Sequence, residues 1–479
     1  MNISAPASKK GYGFAFALVT SLFFIWGFCH AMLDVLNKHF QNELHLSLGQ
    51  SGFIQTAGYL AYFLMAVPAS VVAHRFGYKG GVLAGLGLVV VGALLFIPCA
   101  LVFKSFLPFL IALFILFSGL TFLETTANPY VTVLGSPKTA SSRLVLAQSF
   151  NGLGWVIGPA VGGLLILSVG GGVAVPGAAA DLSSLVKPYA FLAGAVFCVA
   201  MVFYFTKLPE ISGSFDAHGA PIDDAEASAG PEKPLSSQLH FIGGVLAEFC
   251  YVGAQCAIFA FAINYFSDNV RNVGASSVAS GIVSCLKGII GFFHGNTDVI
   301  VNAHNGLTDK GAAYFLSFSF FLFTIGRFTG AAILRVIAPP ILLAVYAAVN
   351  ILLMVFIMQN RPDASFIALI LSFFFMSIMF PTIFSISLHK LGGKTKTGAS
   401  WLVMSIIGGA ITPPLMGKLV SVQPKTLHDI TIPADELAKL HASYSHEMGF
   451  SFIVPMVLFG YLMIYGLAYS KLLAKSEAR

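Results

Sequence analysis

The chain has 479 residues, of which 57% are hydrophobic and only 10% are charged. Soluble globular proteins carry about 25% charged residues, so this composition excludes a soluble protein and indicates one that crosses a membrane many times. The formal net charge of +6 does not indicate a nucleic-acid partner, because the basic residues collect in short loops between apolar segments. The sequence has no metal-ligand spacing, no phosphate-binding loop and no persuasive nucleophile–base set. We therefore predict no metal, no cofactor and no enzyme activity.

Apolar segments long enough to cross a bilayer predict an all-α membrane protein with about twelve transmembrane helices in two six-helix halves. The predicted spans are 14–37, 51–73, 80–102, 107–133, 143–168, 188–206, 240–267, 312–334, 339–359, 363–389, 398–420 and 447–471. A polar segment rich in Pro, Gly, Ala and Asp separates the sixth span from the seventh. We predict an N-terminal bundle at 1–206, a cytoplasmic linker at 207–239 and a C-terminal bundle at 240–479.

Basic residues in the short loops predict the orientation of the chain. Lysine and arginine collect in the loops on the side of the N-terminus, which the positive-inside rule makes cytoplasmic. The short loops on the other side carry only Lys38, Lys104, Lys187 and Arg361. We predict a protein of the inner (plasma) membrane with both termini cytoplasmic. The long segments near 268–311 and 421–446 are predicted external loops, and VASGIVSCLKGIIGFF in the first is predicted as an interfacial or re-entrant helix.

Two acids, Asp34 and Glu124, lie inside apolar runs where almost nothing else is charged. A carboxylate in the bilayer centre costs roughly 2.5–3.5 kcal/mol on insertion scales, so it rarely occurs there without a partner or a task. We predict that both acids couple proton movement to transport. His30 shares a helix face with Asp34 at a spacing of four and is a candidate substrate contact. The structural alternatives are a water-facing position for Asp34 and pairing of Glu124 with a cation such as Arg143.

Side-chain amides supply the candidate substrate contacts. Gln148 and Asn151 are three residues apart in the fifth span and share a face, and amides both donate to and accept from sugar hydroxyls. Hydrogen bonding between helices is the alternative role for this pair. In the seventh span, Tyr251, Gln255 and Asn264 are the candidate substrate contacts of the second half.

A weak internal repeat relates the two halves. Pro129 precedes the loop VLGSPKTASSR, and Pro381 precedes the similar loop LHKLGGKTKTG. Five residues before these prolines stand Glu124 and Met376, so the acid belongs to one half only. We predict that the first half carries the proton and substrate chemistry. The second half then supplies an aromatic wall, for which the candidates are Phe373, Phe374, Phe375 and Phe380.

Charged residues near the inner helix ends are candidate gating residues. The candidates are Arg75 and Lys79 in the first half, with Arg327 and Arg335 opposite them in the second. The segments VVAHRFGYKGG and AAILRVIAPP resemble each other, and each puts an Arg on a short turn rich in Gly or Pro. The third intramembrane acid, Glu248, lies close enough to the inner face to join them. Such basic residues are also ordinary signals of topology, so a role in orientation alone is the alternative.

Several stretches resemble one family. FFIWGFCHAMLDVL, FLETTANPYVTVLG, RLVLAQSFNGLG, FCYVGAQ, GRFTG and FMSIMFPTIFSISL look like the fucose–galactose–glucose:proton symporters of the major facilitator superfamily. The resemblance covers nearly the whole chain except the linker and the two long loops. It implies sugar uptake driven by inward proton flow, with Asp34 and Glu124 as the functional acids and Gln148 and Asn151 as the polar pair. The chain departs from the family pattern at His30, Ala31 and Glu248.

These observations together predict a proton-coupled monosaccharide symporter that imports L-fucose or a related hexose by alternating access. A facilitator or proton antiporter for another polar solute, such as an amino sugar, is the alternative. A membrane sensor without transport activity is a more distant one. The expected partners are a sugar, a proton and the lipid bilayer, and we expect the protein to function as a monomer.

Overall fold

The structure, a computed structural model, describes residues 9–133, 140–167, 182–206, 208, 234–269, 277–292, 300–301, 306–334, 336–389, 391, 395–422 and 433–478. Nearly all of these residues are helical. The bridge between Val301 and Leu307 is the one β pairing among them. Most of the predicted linker 207–239 and parts of both predicted external loops lie outside the described residues.

The α-helices follow one another along the described residues with few irregular connections. They are α1 Lys9–Glu43, α2 Leu48–Ser51, α3 Phe53–Pro98, α4 Phe106–Val133, α5 Ala140–Leu165, α6 Val186–Phe205, α7 Leu239–Asn269, α8 Ser277–Phe292, α9 Asp309–Ile333, α10 Pro339–Met358, α11 Pro362–Met376, α12 Met379–Leu388, α13 Thr395–Ser405, α14 Gly408–Gly417, α15 Ala434–Ser451 and α16 Ile453–Ala478. A π-helical turn follows α3, and single 3₁₀ turns precede α6 and α7.

Ten helical segments in the described part of the chain are long and apolar enough to cross a membrane. The remaining two predicted spans, the fifth and the eleventh, correspond to α5 and to the pair α13 and α14. The second and third predicted spans both lie in α3, which Gly77 interrupts between them. Gly77 has φ 72°, a left-handed conformation that glycine adopts without a steric penalty. The predicted all-helical membrane architecture is confirmed.

Helix breaks modify several predicted spans. The tenth becomes α11 and α12, and Pro381 lies in the first turn of α12, where its missing N–H removes no intrahelical hydrogen bond. The eleventh breaks at Ile406 and Ile407, whose N–H groups bond to carbonyls three residues back in a tighter turn. The segment 421–446, predicted as a loop, contains the beginning of α15. The predicted interfacial or re-entrant segment forms α8, which packs against α11.

Small residues allow neighbouring helices to approach closely. A Cβ atom built on Gly85 or Gly119 would overlap the facing backbone of α4 or α3, and one on Gly92 would overlap Leu116. Helix association in membranes depends on such close packing, because lipid tails offer no hydrophobic advantage to a protein core. These glycines therefore fix α3 against α4.

The helices pack as two groups that meet along one set of contacts. In the first group α1 packs against α4 and α5, and α3 packs against α4 and α6. In the second, α7 packs against α12, α14 and α16, and α10 packs against α11 and α16. The groups meet where α5 contacts α9, α1 contacts α7, and α2 and α3 contact α14. At Gly52 a Cβ atom would overlap Pro414, so a side chain larger than hydrogen does not fit this contact.

Candidate functional site

Asp34 is buried in the last third of α1, with 2% of its surface exposed. Its Oδ1 accepts a 2.9 Å hydrogen bond from Nε2 of Gln55 in α3. Its Oδ2 is buried and has no hydrogen-bonding partner in the described structure. Buried polar atoms are normally paired, so this oxygen is available to take a proton or a new donor.

His30 lies one helical turn before Asp34, inside a shell of aromatic rings. Its Nε2 is 3.0 Å from the hydroxyl of Tyr62, and its Nδ1 is buried without a partner among the described residues. The ring centroids around it lie within 6.0 Å and belong to Trp26, Tyr59, Tyr62, Phe117 and Trp155. An imidazole with one unpaired nitrogen in an aromatic pocket can donate to or accept from a polar ligand.

Glu124 lies in α4 and is partly exposed. The side chain of Tyr62 interacts with the Glu124 carboxyl group, and its hydroxyl contacts His30. The structure thus brings the second predicted acid into the same polar cluster as His30.

The sequence analysis missed the polar side chains of α3. Gln55, Tyr59 and Tyr62 are spaced at i, i+4 and i+7 in an otherwise apolar helix, so they share one face. Gln55 contacts Asp34, Tyr62 contacts His30 and Glu124, and Tyr59 packs against His30. A search for polar residues at helical spacing within the second span would have found all three.

The predicted polar pair of α5 lies beside this cluster. Nδ2 of Asn151 donates a 3.2 Å hydrogen bond to the carbonyl of Phe23, and Asn151 is 1% exposed. A Cβ atom on Gly27 would overlap the Asn151 carbonyl, so α1 and α5 are in direct backbone contact here. Gln148 is partly exposed, and its Nε2 lies 3.4 Å from Oδ1 of Asn128. Asn151 is therefore engaged between helices, while Gln148 is more accessible.

Aromatic side chains of the second group face the polar cluster across Trp155. The ring of Trp155 lies 4.9 Å from that of Phe320 and 5.8 Å from that of Phe259. Phe259 in turn stacks on Phe373 at 4.6 Å and contacts Phe323 at 6.0 Å. An aromatic wall is present as predicted, but of the phenylalanines proposed for it, Phe373 is the one in this cluster. Phe259, Phe320 and Phe323 were not predicted.

The three candidate contacts of α7 are placed differently from one another. Tyr251 is buried, and its hydroxyl donates a 2.8 Å hydrogen bond to the Met376 carbonyl. Gln255 is partly exposed and lies one turn before Phe259 on the same face. Asn264 is buried and donates through Nδ2 to Oε1 of Gln41 in α1. Gln255 is thus the member of this set nearest to the aromatic wall along the helix.

The candidate gating residues do not form one cluster in the described structure. Nζ of Lys79 donates to the carbonyls of Tyr204 at 2.7 Å and Thr206 at 3.0 Å, which ties α3 to the end of α6. The guanidinium of Arg327 lies 4.7 Å from the centroid of the Phe323 ring. Arg75 is exposed beside Phe76. Arg335, together with the side chain of the suggested Glu124 partner Arg143, lies outside the described residues.

Glu248 is completely buried in α7, and neither carboxylate oxygen has a hydrogen-bonding partner in the described structure. Tyr251 and Tyr465 are among the described side chains that interact with it electrostatically. The hydroxyls of both tyrosines donate to backbone carbonyls, of Met376 and His240 respectively. Glu248 is therefore a buried acid in the second group, separate from the cluster around His30.

A second polar cluster joins the two helix groups at the far end of α1. Nζ of Lys38 lies 3.5 Å from Oδ1 of Asp309 in α9, and Nδ2 of Asn42 donates a 2.6 Å hydrogen bond to Oδ2 of Asp309. Asn37 donates to the carbonyl of Ala260 in α7. The prediction that Lys38 lies in an external loop is wrong, because α1 continues to Glu43 and Lys38 is 1% exposed. Charged residues at 38 and 43 made the span appear to end early.

Known proteins are similar to this chain over most of its length. The family model of the Major Facilitator Superfamily matches residues 14–413. The glucose/galactose transporter of Brucella abortus is 34% identical over 97% of this chain and 96% of its own. The L-fucose-proton symporter of Escherichia coli is 35% identical over 85% of this chain and 87% of its own.

Among solved structures, the crystal structure of the major facilitator superfamily transporter FucP in the outward conformation matches with a TM-score of 0.59 and 30% identity. The match covers 96% of this chain and 99% of that one. The family model and the relatives confirm both the predicted fold and the predicted absence of a catalytic role, since all of them are transporters. The chain belongs to the fucose–galactose–glucose:proton symporter family of the major facilitator superfamily.

Proposed function

We propose that the protein is a proton-coupled symporter that imports a monosaccharide, L-fucose or a related hexose, by alternating access. The names of the relatives support the substrate class and the proton coupling. The observation that supports the proposal is the polar cluster in which Tyr62 contacts His30 and interacts with Glu124, with Asp34 one helical turn from His30. We take the two acids and the polar side chains around them as the proposed proton and sugar site.

The proposed roles follow from the position of each side chain. Glu124, which is partly exposed, is the main proton carrier, and Asp34 couples proton entry to sugar binding. Gln148, His30 and Gln255 hold sugar hydroxyls, with Asn151, Tyr251 and Asn264 supporting the helices that carry them. The Trp155–Phe259 wall offers a flat apolar surface for a sugar ring, as pockets for small polar ligands commonly do.

We further propose that residues 1–206 and 240–479 are two halves that rock about this site, joined by the cytoplasmic linker 207–239. In this proposal the protein lies in the inner membrane with both termini in the cytoplasm. The end of α1 that carries Lys38 then faces outward. The structure is then closed on the outside, whereas the related FucP structure is in the outward conformation. Arg75, Lys79, Arg327, Arg335 and Glu248 gate the inner side. The protein works as a monomer driven by the proton gradient, without a cofactor.

Purified protein in liposomes tests the role of Glu124. The wild type should accumulate L-fucose, galactose or glucose when the outside is made acidic. The Glu124→Gln variant should lose accumulation yet still exchange labelled for unlabelled sugar, because the amide keeps the shape but carries no proton. Glu436→Gln, which changes an exposed acid of α15, should accumulate sugar normally. Accumulation by Glu124→Gln would overturn the assignment, and uptake by the wild type without proton coupling would instead indicate a facilitator.

A further inference from the structure

The pair Lys38 and Asp309 links the two helix groups through buried charges. Lys38 is 1% and Asp309 7% exposed, with 3.5 Å between the ammonium nitrogen and Oδ1. Lys38 belongs to α1 and Asp309 begins α9, so this contact exists only while the two groups are together at this end. Separation of the groups would leave a buried lysine without this acid, a state that costs several kcal/mol unless another anion replaces it.

Asp34 is placed to be that anion. It precedes Lys38 by four residues in the same helix, and side chains at this spacing are neighbours on one face. Its Oδ2 has no hydrogen-bonding partner among the described residues, and its Oδ1 accepts a hydrogen bond from the neutral amide of Gln55. The carboxyl thus has an unused oxygen one turn from a lysine that is engaged with Asp309.

We infer that Lys38 changes partners during transport, from Asp309 when this end is closed to Asp34 when it is open. The inference rests on the proposed function, since it assigns the coupling step to a residue outside the proton-binding pair. Lys38 is a positioning residue in this scheme: it decides when Asp34 bears charge and itself keeps its proton throughout.

The exchange conserves protons and charge. In the open state Asp34 is a carboxylate paired with the Lys38 ammonium, and Asp309 is a carboxylate facing water. One proton from the water on that side adds to Asp34 and makes it a carboxylic acid. The ammonium then pairs with Asp309 as the groups close, so the closed state holds an ion pair and a neutral Asp34. Neither state has an unpaired buried charge. The helix groups can therefore move between the two states without the cost of burying one.

Among the described residues, the other titratable groups near Asp34 have contacts that do not involve it or are neutral. Tyr59 of α3 and Cys256 of α7 interact with Asp34, and both are neutral near pH 7. His30 on α1 contacts Tyr62. Two further basic side chains of this end have contacts elsewhere: His39 bonds to Ser184, and Lys310 donates to the Leu164 carbonyl. Lys418 of the α14 end lies against Gly49 of α2.

Infrared titration of the protein in lipid tests the exchange without requiring transport. The carboxylic-acid band that disappears in Asp34→Asn reports protonation of Asp34, and its pH midpoint is the measurement. Lys38→Met removes the cation that favours the carboxylate, so the midpoint should rise. Asp309→Asn leaves Lys38 to pair with Asp34 in every state, so the midpoint should fall. A neighbouring charge changes such a midpoint by about one pH unit or more.

The signs distinguish partner exchange from a structural latch. If the pair only holds the helix groups together, breaking it from either side has the same effect, and both variants should move the midpoint in the same direction or not at all. That result would overturn the inference. The double variant separates partner exchange from a direct effect of each charge on Asp34. Under exchange it should match Lys38→Met alone, because Asp309 then influences Asp34 through Lys38, whereas independent charge effects would add. Additive shifts would also overturn the inference. Lys310→Met is the control and should leave the midpoint unchanged. If Asp309→Asn does not fold, Asp309→Ala carries the same expectation. If the protein transports no sugar, the proposed function is refuted, but the infrared titration still tests the exchange of partners by Lys38.

Discussion

The hydroxyl of Tyr62 lies 3.0 Å from Nε2 of His30, deep between α1 and α3. The same side chain interacts with Glu124 of α4. One neutral side chain therefore connects an imidazole and a carboxylate from two different helices. It gives the acid a partner that does not fix its charge, as a residue that must gain and lose a proton requires.

Tyr62→Phe should remove this connection while keeping the aromatic packing. Loss of a polar interaction in a buried cluster costs about 1.5 kcal/mol, so proton-driven sugar uptake should fall about tenfold. Sugar exchange at equal pH should fall less, because it needs no net proton movement. Tyr78→Phe is the matched control, since the Tyr78 ring stacks on Tyr130. Equal losses of uptake in the two variants would contradict the role of Tyr62.

His30→Ala should change which sugar the protein prefers. One buried imidazole nitrogen has no partner in the part of the chain that the structure describes, and aromatic side chains surround the ring. Removing it takes away a hydrogen-bonding atom and enlarges the pocket. The apparent affinity for the preferred sugar should fall about tenfold, equivalent to about 1.4 kcal/mol. Competition by a panel of monosaccharides measures this, and an unchanged order of preference would show that His30 does not touch the substrate.

Gly52→Val should block closure at the Lys38 end. A Cβ atom at Gly52 would overlap Pro414, whereas one at Gly87 would meet no heavy atom within 4 Å. We expect Gly52→Val to bind sugar in detergent but to lose at least nine-tenths of its uptake in liposomes. This loss corresponds to an activation free energy of transport that is about 1.4 kcal/mol higher. Gly87→Val, with the same change of side chain, should transport normally. Normal uptake by Gly52→Val would mean that the α2–α14 contact is not part of the cycle.

Glu248→Met should separate stability from transport. The substitution replaces a completely buried carboxyl that has no hydrogen-bonding partner in the described structure by an apolar side chain of similar length. Removing unpaired buried oxygens should stabilise the protein by about 1–3 kcal/mol, seen as a higher thermal unfolding temperature. If Glu248 serves in gating, sugar uptake should fall in the same variant. Lower stability together with normal uptake would identify Glu248 as a structural residue.

The sequence was sufficient to predict the helical membrane fold and the two acids of the first half. The thickness of the bilayer sets the length of the apolar segments that cross it, so these segments are easy to recognise. A charged residue within one stands out because its burial in the bilayer costs free energy. The helix breaks at Ser377 and Ile407 were not predictable in the same way, since apolar composition continues through them.

The partners of the acids were harder to predict, because they come from other helices. Gln55 and Tyr62 are ordinary residues in isolation, and only the packing of α3 against α1 and α4 brings them to Asp34 and Glu124. Lys38 was misplaced for a related reason. Its charge is compensated by Asp309, more than 250 residues away, so local hydropathy assigned it to a loop.

Simultaneous movement of sugar and protons is the most direct test of the account. Liposomes containing the wild type should make a weakly buffered external solution more alkaline when the transported sugar is added, with no response to a sugar that is not accumulated. Asp34→Asn and Glu124→Gln should each remove the pH change. Sugar entry without alkalinisation, or an unchanged signal in both variants, would contradict proton-coupled symport through this pair of acids.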